Sequence, residues 1–244
     1  MKRSAKSSPT LWERIRFYWG ALVISFVLGA LMIPAIILFP KKKGMIMHRL
    51  NSIILKLIGA RVEASGRLEP QTDMIILNHQ GIIDIIGMEA LQTNHLRWAA
   101  KKELFEALWY GKLLRHGEMI SLDRGSKAAL VSLLKSVKES RNKLGRIVAI
   151  FPEGTRAKDQ ELLPFKVGTK IVAEKLGLKV QPVVITGSKW VLNEHNKTAH
   201  SGTVHYTFLP TIDVTEADDD WFDKIRARMQ QVIDQEAAMH QRNR

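Results

Sequence analysis

Hydrophobic residues follow two different patterns along the chain. Residues 20–39 form an uncharged apolar run about as long as a helix needs to be to cross a hydrocarbon core. From residue 61 onwards, short β-like runs alternate with amphipathic segments. Between these regions, residues 45–60 carry apolar side chains at helical spacing, at Ile46, Leu50, Ile53, Ile54 and Leu57. The pattern predicts a helical membrane-anchoring segment over residues 1–60 and one further domain over residues 61–244.

The alternation after residue 60 is typical of a layered α/β domain. Helices are predicted over 127–145 and 168–177, each ending at a glycine that can adopt the left-handed conformation. The C-terminal stretch is predicted to be a packing helix with Phe222, Ile225, Met229 and Val232 on its apolar face. Strands are predicted over seven short runs, at 61–65, 73–78, 97–100, 118–122, 146–151, 180–185 and 203–209. We therefore expect a mainly parallel or mixed sheet flanked by helices.

The topology of the anchor is ambiguous at the level of sequence. Basic residues occur on both sides of the run 20–39, so the positive-inside rule indicates no direction. Pro34 lies inside the run and favours a kink or a break there. We expect an anchor that enters and leaves the same leaflet, with a signal peptide and a buried core helix as the alternatives.

Charge and cysteine content narrow the possible functions. The formal net charge of +13 implies an anionic partner, and nucleic acid, an anionic membrane surface and a phosphorylated small substrate all qualify. The chain contains no cysteine, which excludes disulfides and a cysteine nucleophile that would form an acyl-enzyme thioester. Its eight histidines follow no HExxH-type spacing, so no metal site is predicted.

The first candidate site is the segment NHQGIID, which follows a predicted strand directly. Asp84 comes five residues after His79, and a helix starting near Gln80 would bring the carboxylate back towards the imidazole. Such a pair suits general-base catalysis, with the aspartate fixing the tautomer of the histidine. The alternative is a helix-capping histidine with an exposed aspartate at the helix start.

The second candidate site is the segment FPEGTR, which follows another predicted strand. Proline and glycine allow a tight turn whose backbone donors can face an anion, and Arg156 offers a forked donor suited to phosphate. Taken alone, such a turn is more often structural than catalytic. Two polar clusters at strand ends in one α/β chain favour a functional site, because ligands collect at that edge of a sheet.

NHQGIID and FPEGTR resemble the N-H-x4-D and F-P-E-G-T-R motifs of the 1-acylglycerol-3-phosphate acyltransferase family. The segments AAKKEL, EMISLDRG, LPFKVG and VQPVVI resemble further family segments in the same order, over roughly residues 60 to 210. The resemblance implies direct acyl transfer from acyl-CoA or acyl carrier protein to the free sn-2 hydroxyl of lysophosphatidic acid, which gives phosphatidic acid. It implies no metal and no other cofactor.

The resemblance also implies roles for individual residues. His79 would be the base and Asp84 its orienting partner, whereas the other residues would bind the glycerophosphate: Lys101, Arg124, Glu153, Gly154, Thr155 and Arg156. The expected location is the inner or cytoplasmic membrane, with the site on the cytoplasmic side and membrane lipid, not nucleic acid, as the partner. Alternatives are another acceptor, such as a different lysophospholipid or a lyso-ornithine lipid, and a non-catalytic basic membrane-tethered binding protein.

Overall fold

A computed structural model describes residues 8–123 and 127–242, with backbone only at 127, 128 and 239–242. All seven predicted strands are present within one or two residues of their expected ends, and three short strands are added. The strands are β1 Ala60–Ser65, β2 Met74–Leu77, β3 Arg97–Lys101, β4 Ile120–Leu122, β5 Val148–Ile150, β6 Lys179–Thr186, β7 Leu192–Asn193, β8 Thr198–Ala199, β9 Gly202–Phe208 and β10 Ile212–Asp213.

The main sheet is mixed, with the strand order β1-β9-β6-β2-β5-β3-β4. Strands β6, β2, β5, β3 and β4 run parallel to one another, so their carboxyl ends share one edge. Strand β9 is antiparallel to β6 and parallel to β1, and β10 pairs antiparallel with β6. Strands β7 and β8 form a separate hairpin. The predicted α/β class is confirmed, in its mixed-sheet form.

The predicted helices are also present. The left-handed glycines expected at helix ends are found at Gly145 (φ 58°) and Gly177 (φ 54°). The helices are α1 Leu11–Phe26, α2 Ile33–Leu38, α3 Lys43–Ile58, α4 Ile82–Leu91, α5 Lys102–Glu106, α6 Leu108–His116, α7 Lys127–Glu139, α8 Val167–Leu176, α9 Ser188–Val191 and α10 Trp221–Arg242, with π-helical stretches at Val27–Met32 and Ser140–Leu144 and a 3-10 turn at Pro40–Lys42.

Helices cover both faces of the sheet, which explains the unbroken apolar strands. In β2 every side chain is fully buried: Ile75 and Leu77 face the helices α1 to α4 and α6, whereas Met74 and Ile76 face α7, α8 and α10. A strand buried on both faces has no polar alternation. The four apolar residues predicted for α10 all lie in the second of these layers, which confirms a packing helix.

The anchor is a continuous helix over Leu11–Leu38, long and apolar enough to cross a membrane. It begins before the apolar run because Thr10 and Glu13 form a reciprocal capping box. Pro34 does not break the helix. The backbone instead widens into the π-helical stretch Val27–Met32 just before the proline. Pro34 has no amide hydrogen and therefore cannot donate a hydrogen bond to the preceding turn.

Gly87 on α4 provides the first testable prediction. A Cβ atom there would overlap the buried Tyr206 hydroxyl, which bonds to the carbonyls of Ile83 (3.2 Å) and Asp84 (2.9 Å). We expect Gly87→Ala to lower the free energy of unfolding by about 1–3 kcal/mol, as overpacked cores do. Thermal unfolding in detergent measures the effect. The control Gly168→Ala, with no atom near its Cβ, should be neutral or slightly stabilising; equal effects would contradict the packing argument.

Candidate active site

The two predicted catalytic residues lie in contact at the carboxyl end of β2. Nδ1 of His79 is 2.9 Å from Oδ2 of Asp84, which is wholly buried in the first turn of α4. The same oxygen accepts hydrogen bonds from the backbone amides of Gln80 (2.5 Å) and Gly81 (2.8 Å). Helix α4 therefore begins at Ile82, slightly later than expected, because these two amides bond to the aspartate before the helix starts.

This contact determines which nitrogen of His79 can act as a base. The carboxylate of Asp84 accepts, so Nδ1 carries the proton and Nε2 is left with its lone pair. Nε2 has no hydrogen bond to any residue in the described part of the chain. The ring also stacks on Phe151 at 3.8 Å between centroids, and Phe151 stacks on Trp98 at 5.4 Å. The imidazole is thus fixed both in its plane and across its face.

The second motif holds the backbone of His79 in place. Glu153, 1 % exposed, accepts hydrogen bonds from the amides of His79 and Leu163, each at 2.8 Å. The amide of Ala157 donates to the His79 carbonyl, also at 2.8 Å. Burial raises the pKa of Glu153, against the opposing effect of these amides. Both carboxylate oxygens of Glu153 therefore bond to backbone amides, and the side chain positions the backbone of His79.

The remaining predicted residues differ in where they lie. Gly154 adopts the left-handed conformation (φ 71°), which turns the chain so that Thr155 and Arg156 are exposed beside the dyad. Lys101 is the last residue of β3 and is also exposed there. These four residues line one cavity with His79. Arg124 lies outside the described residues.

The cavity, with a volume of about 410 Å³, changes character along its length. Exposed polar residues, among them Lys101 and Arg156, line the part that meets solvent, and His79 stands at the junction with the interior. Buried apolar side chains line the rest: Leu28, Met32, Met47, Ile86, Trp98, Leu113, Leu114, Met119 and Phe151. The dyad can therefore act between a polar ligand group at the opening and an apolar chain inside.

Sequence reasoning missed several residues in or beside this cavity. Glu194 pairs with Arg156, and the exposed His195 lines the same cavity; both lie in the polar turn between β7 and β8, where no local signal distinguishes them from a solvated loop. Glu89 was detectable in principle, as a charged residue in the otherwise apolar segment of α4. In residues 8–123 and 127–242 no cluster of His, Asp and Glu suits a metal ion.

Fold and site together define a class of α/β proteins in which a histidine held by a buried aspartate lies beside an apolar cavity. Residues 61–186 match the model of the family described as Acyltransferase. A 1-acyl-sn-glycerol-3-phosphate acyltransferase of Helicobacter pylori is 35% identical over 94% of this chain and 95% of its own length. The chain belongs to the acyltransferase family and is an acyltransferase.

Two further comparisons agree. The human 1-acyl-sn-glycerol-3-phosphate acyltransferase beta is 29% identical over 62% of this chain and 55% of its own length. The crystal structure of the 1-acyl-sn-glycerophosphate (LPA) acyltransferase PlsC from Thermotoga maritima covers 95% of both chains with a TM-score of 0.72. At 20% identity, that likeness shows that the two proteins share a fold.

Glu89 is a buried acid in the wall of this cavity. It is fully buried, one oxygen accepts a 2.6 Å hydrogen bond from Nε1 of Trp98, and the other has no partner among the described residues. Burial, only partly offset by the Trp98 bond, raises the pKa of Glu89 to about 8. The carboxyl is therefore neutral in the folded chain at neutral pH and suits an apolar wall.

The raised pKa of Glu89 predicts a pH-dependent stability. The carboxyl of Glu89 keeps its proton in the folded chain, whereas in the unfolded chain it releases the proton above about pH 4.5. The contribution of this proton to the free energy of unfolding is therefore complete below about pH 4.5 and is lost as pH rises through about 8. We expect Glu89→Gln to melt about 4 °C or more above wild type at pH 8.5, where each 1 kcal/mol corresponds to about 2–4 °C. Near pH 4 the two should converge. Thermal scans across pH, with the exposed Glu161→Gln as control, check this; a constant difference would contradict it.

Proposed function

We propose that the chain is a 1-acylglycerol-3-phosphate O-acyltransferase, which transfers an acyl chain to the sn-2 hydroxyl of lysophosphatidic acid to give phosphatidic acid. One observation carries the proposal: His79 lines one cavity that has an exposed cationic part, at Lys101 and Arg156, and a buried apolar part. The first part suits the phosphate of the acceptor and the second an acyl chain. The relatives from Helicobacter pylori and human are 1-acyl-sn-glycerol-3-phosphate acyltransferases, which supports this acceptor.

The reaction needs one base and no covalent enzyme intermediate. Nε2 of His79 takes the proton of the acceptor hydroxyl as its oxygen attacks the thioester carbonyl carbon. The imidazolium that forms is stabilised by Asp84, whose carboxylate faces Nδ1. When the tetrahedral intermediate collapses, the carbon–sulfur bond breaks and the thiolate takes the proton from Nε2. An already activated thioester requires no cysteine nucleophile, which agrees with a chain that contains none.

We assign the phosphate of the acceptor to the exposed polar residues around the opening. Arg156 supplies a forked donor, Thr155 a hydroxyl, and Lys101 a further positive charge on the adjacent strand end. Glu153 contributes indirectly, because its carboxylate holds the loop that presents these groups. The role of Arg124 in phosphate binding stays a prediction. Another lysophospholipid or a lyso-ornithine lipid is the alternative acceptor, and a phosphate site favours the former.

The proposed donor is acyl-CoA or acyl carrier protein, with no metal or other cofactor. Both donors present the same thioester on the same kind of flexible arm, so the dyad and the apolar cavity suit either. The distinction between them depends on contacts outside this cavity. A panel of the two donors at equal acyl-chain length would assign it.

We propose that the anchor lies in one leaflet of the cytoplasmic membrane, with the site on the cytoplasmic side. One face of the helix Leu11–Leu38 packs against the catalytic domain along most of its length, through Val23, Val27, Met32 and Ile36. A helix that is packed beside its own domain is poorly placed to cross the bilayer. Its other face is apolar, aromatic and exposed, at Leu11, Trp12, Ile15, Tyr18, Trp19, Leu22, Phe26 and Leu31.

The base assignment predicts the behaviour of His79→Ala. This variant should lower the rate of acyl transfer to lysophosphatidic acid by about 100- to 10,000-fold, the usual contribution of a positioned general base. Release of free thiol in detergent micelles or liposomes measures the rate. His205→Ala, on β9 away from the cavity, is the matched control and should retain activity. A rate close to wild type in His79→Ala would exclude this residue as the base.

The monotopic anchor predicts where its two ends lie. Since the chain contains no native cysteine, Ser8→Cys and Lys41→Cys each introduce a single reactive thiol, one on either side of the helix. We expect an impermeant maleimide to label both variants in inside-out vesicles and neither in right-side-out vesicles. Labelling of the two positions from opposite sides would establish a simple transmembrane span.

A further inference from the structure

Glu194 bridges two anion-binding groups beside the catalytic histidine. Its Oε2 pairs with the guanidinium of Arg156, and its Oε1 accepts a 2.9 Å hydrogen bond from the backbone amide of Ile82. Ile82 is the first residue of α4, a helix of 10 residues, so this amide lies at the positive end of the helix dipole. The carboxylate therefore occupies a position where two sources of positive potential converge.

The same two groups suit a phosphate. A guanidinium fork and an amide at a helix start are donors that bind phosphate oxygens. Both Arg156 and Ile82 line the cavity that contains His79. A phosphate held there would be close to the base that must receive the acceptor's hydroxyl proton. The carboxylate and the phosphate accept from the same donors, so the two anions compete.

The hairpin holds the backbone around Glu194, whereas among the described residues the side chain is held only by its contacts with Arg156 and Ile82. The turn is closed by the β7–β8 pairing and by Asn193, whose Oδ1 accepts the amides of His195 (3.1 Å) and Asn196 (3.0 Å). The Glu194 side chain, which contacts the cavity-lining Arg156 and Ile82, is 25% exposed. A rotation about its side-chain bonds would break both contacts, and the carboxylate would then turn towards solvent.

We infer that Glu194 is an intramolecular competitor for the phosphate subsite, an inference that rests on the proposed function. In the free enzyme its carboxylate occupies Arg156 and the Ile82 amide. The phosphate of the acceptor displaces it, and the carboxylate returns as the product leaves. Such a residue weakens the binding of the acceptor and of the product alike, and so prevents the phosphate of the product from blocking the site.

The headgroup sn-glycerol 3-phosphate tests this inference by a measurement that needs no turnover. We expect Glu194→Gln to bind it about two- to five-fold more tightly than wild type in calorimetry on the full chain in detergent. The factor is modest because the ion pair is partly exposed. The glutamine oxygen can still accept from Ile82, which preserves the helix start, and an unchanged melting temperature checks this. The KM for lysophosphatidic acid should fall by a similar factor.

Two controls distinguish competition from a general charge effect. Asp159→Asn removes the same charge from the loop that packs on Gln80 without contacting Arg156, and it should leave the affinity nearly unchanged. In an Arg156→Ala background, Glu194→Gln should bring no gain, because the shared donor is absent. An equal gain in headgroup affinity in either control would show that long-range electrostatics, and not competition, causes the tighter binding.

The remaining outcomes are also decisive. If Glu194→Gln binds the headgroup as wild type does, or more weakly, the inference is wrong, and Glu194 is instead a residue that orients Arg156. If Arg156→Ala binds the headgroup as wild type does, both the inference and the assigned phosphate site are wrong. If the headgroup behaves as expected but no acyl transfer to lysophosphatidic acid occurs, the proposed reaction fails while the competition stands.

Discussion

The backbone of His79 is held on both sides by the loop that follows β5. Glu153 accepts its amide and Ala157 donates to its carbonyl, across 74 positions of sequence in the case of Glu153. The side chain of Asn78, one residue earlier, bonds to both the amide and the carbonyl of Ile185 on β6, which neighbours β2 in the sheet. A buried carboxylate without its donors would be strongly unfavourable, so the two loops are stable only together. The position of the His79 imidazole therefore depends on a residue whose carboxylate bonds only to backbone amides in the part of the chain that the structure describes.

The orientation of the imidazole depends on a second set of contacts. Asp84 holds the ring at Nδ1, whereas Phe151 and then Trp98 stack behind it, and Trp98 is itself bonded to Glu89. These aromatic rings also form part of the cavity wall. The groups that orient the imidazole are thus also groups that line the cavity. The geometry of the imidazole and the shape of the cavity cannot be changed independently here.

The β7–β8 hairpin connects the polar opening to the anchor helix. It carries Glu194 at its turn, and Leu192 at its base packs so closely on Gly20 that a Cβ atom there would lie 3.1 Å from the leucine. His200 after the hairpin lies 3.3 Å from Glu13 on the same helix. The partner of Arg156 is therefore supported by the helix whose outer face is apolar and exposed. The proposed phosphate site and the exposed apolar face of the helix belong to one packed unit.

The sequence by itself determined most elements of this fold and the pairing of His79 with Asp84. Its seven longer strands, its glycine-terminated helices and the dyad His79 and Asp84 all depend on local signals: apolar runs, turn residues and a five-residue spacing. Only the tertiary structure decided which way β9 runs, that Glu153 positions the histidine, and that Glu194 lies against Arg156. These features arise between segments far apart in the chain, where packing and shared hydrogen bonds, rather than local pattern, select the arrangement.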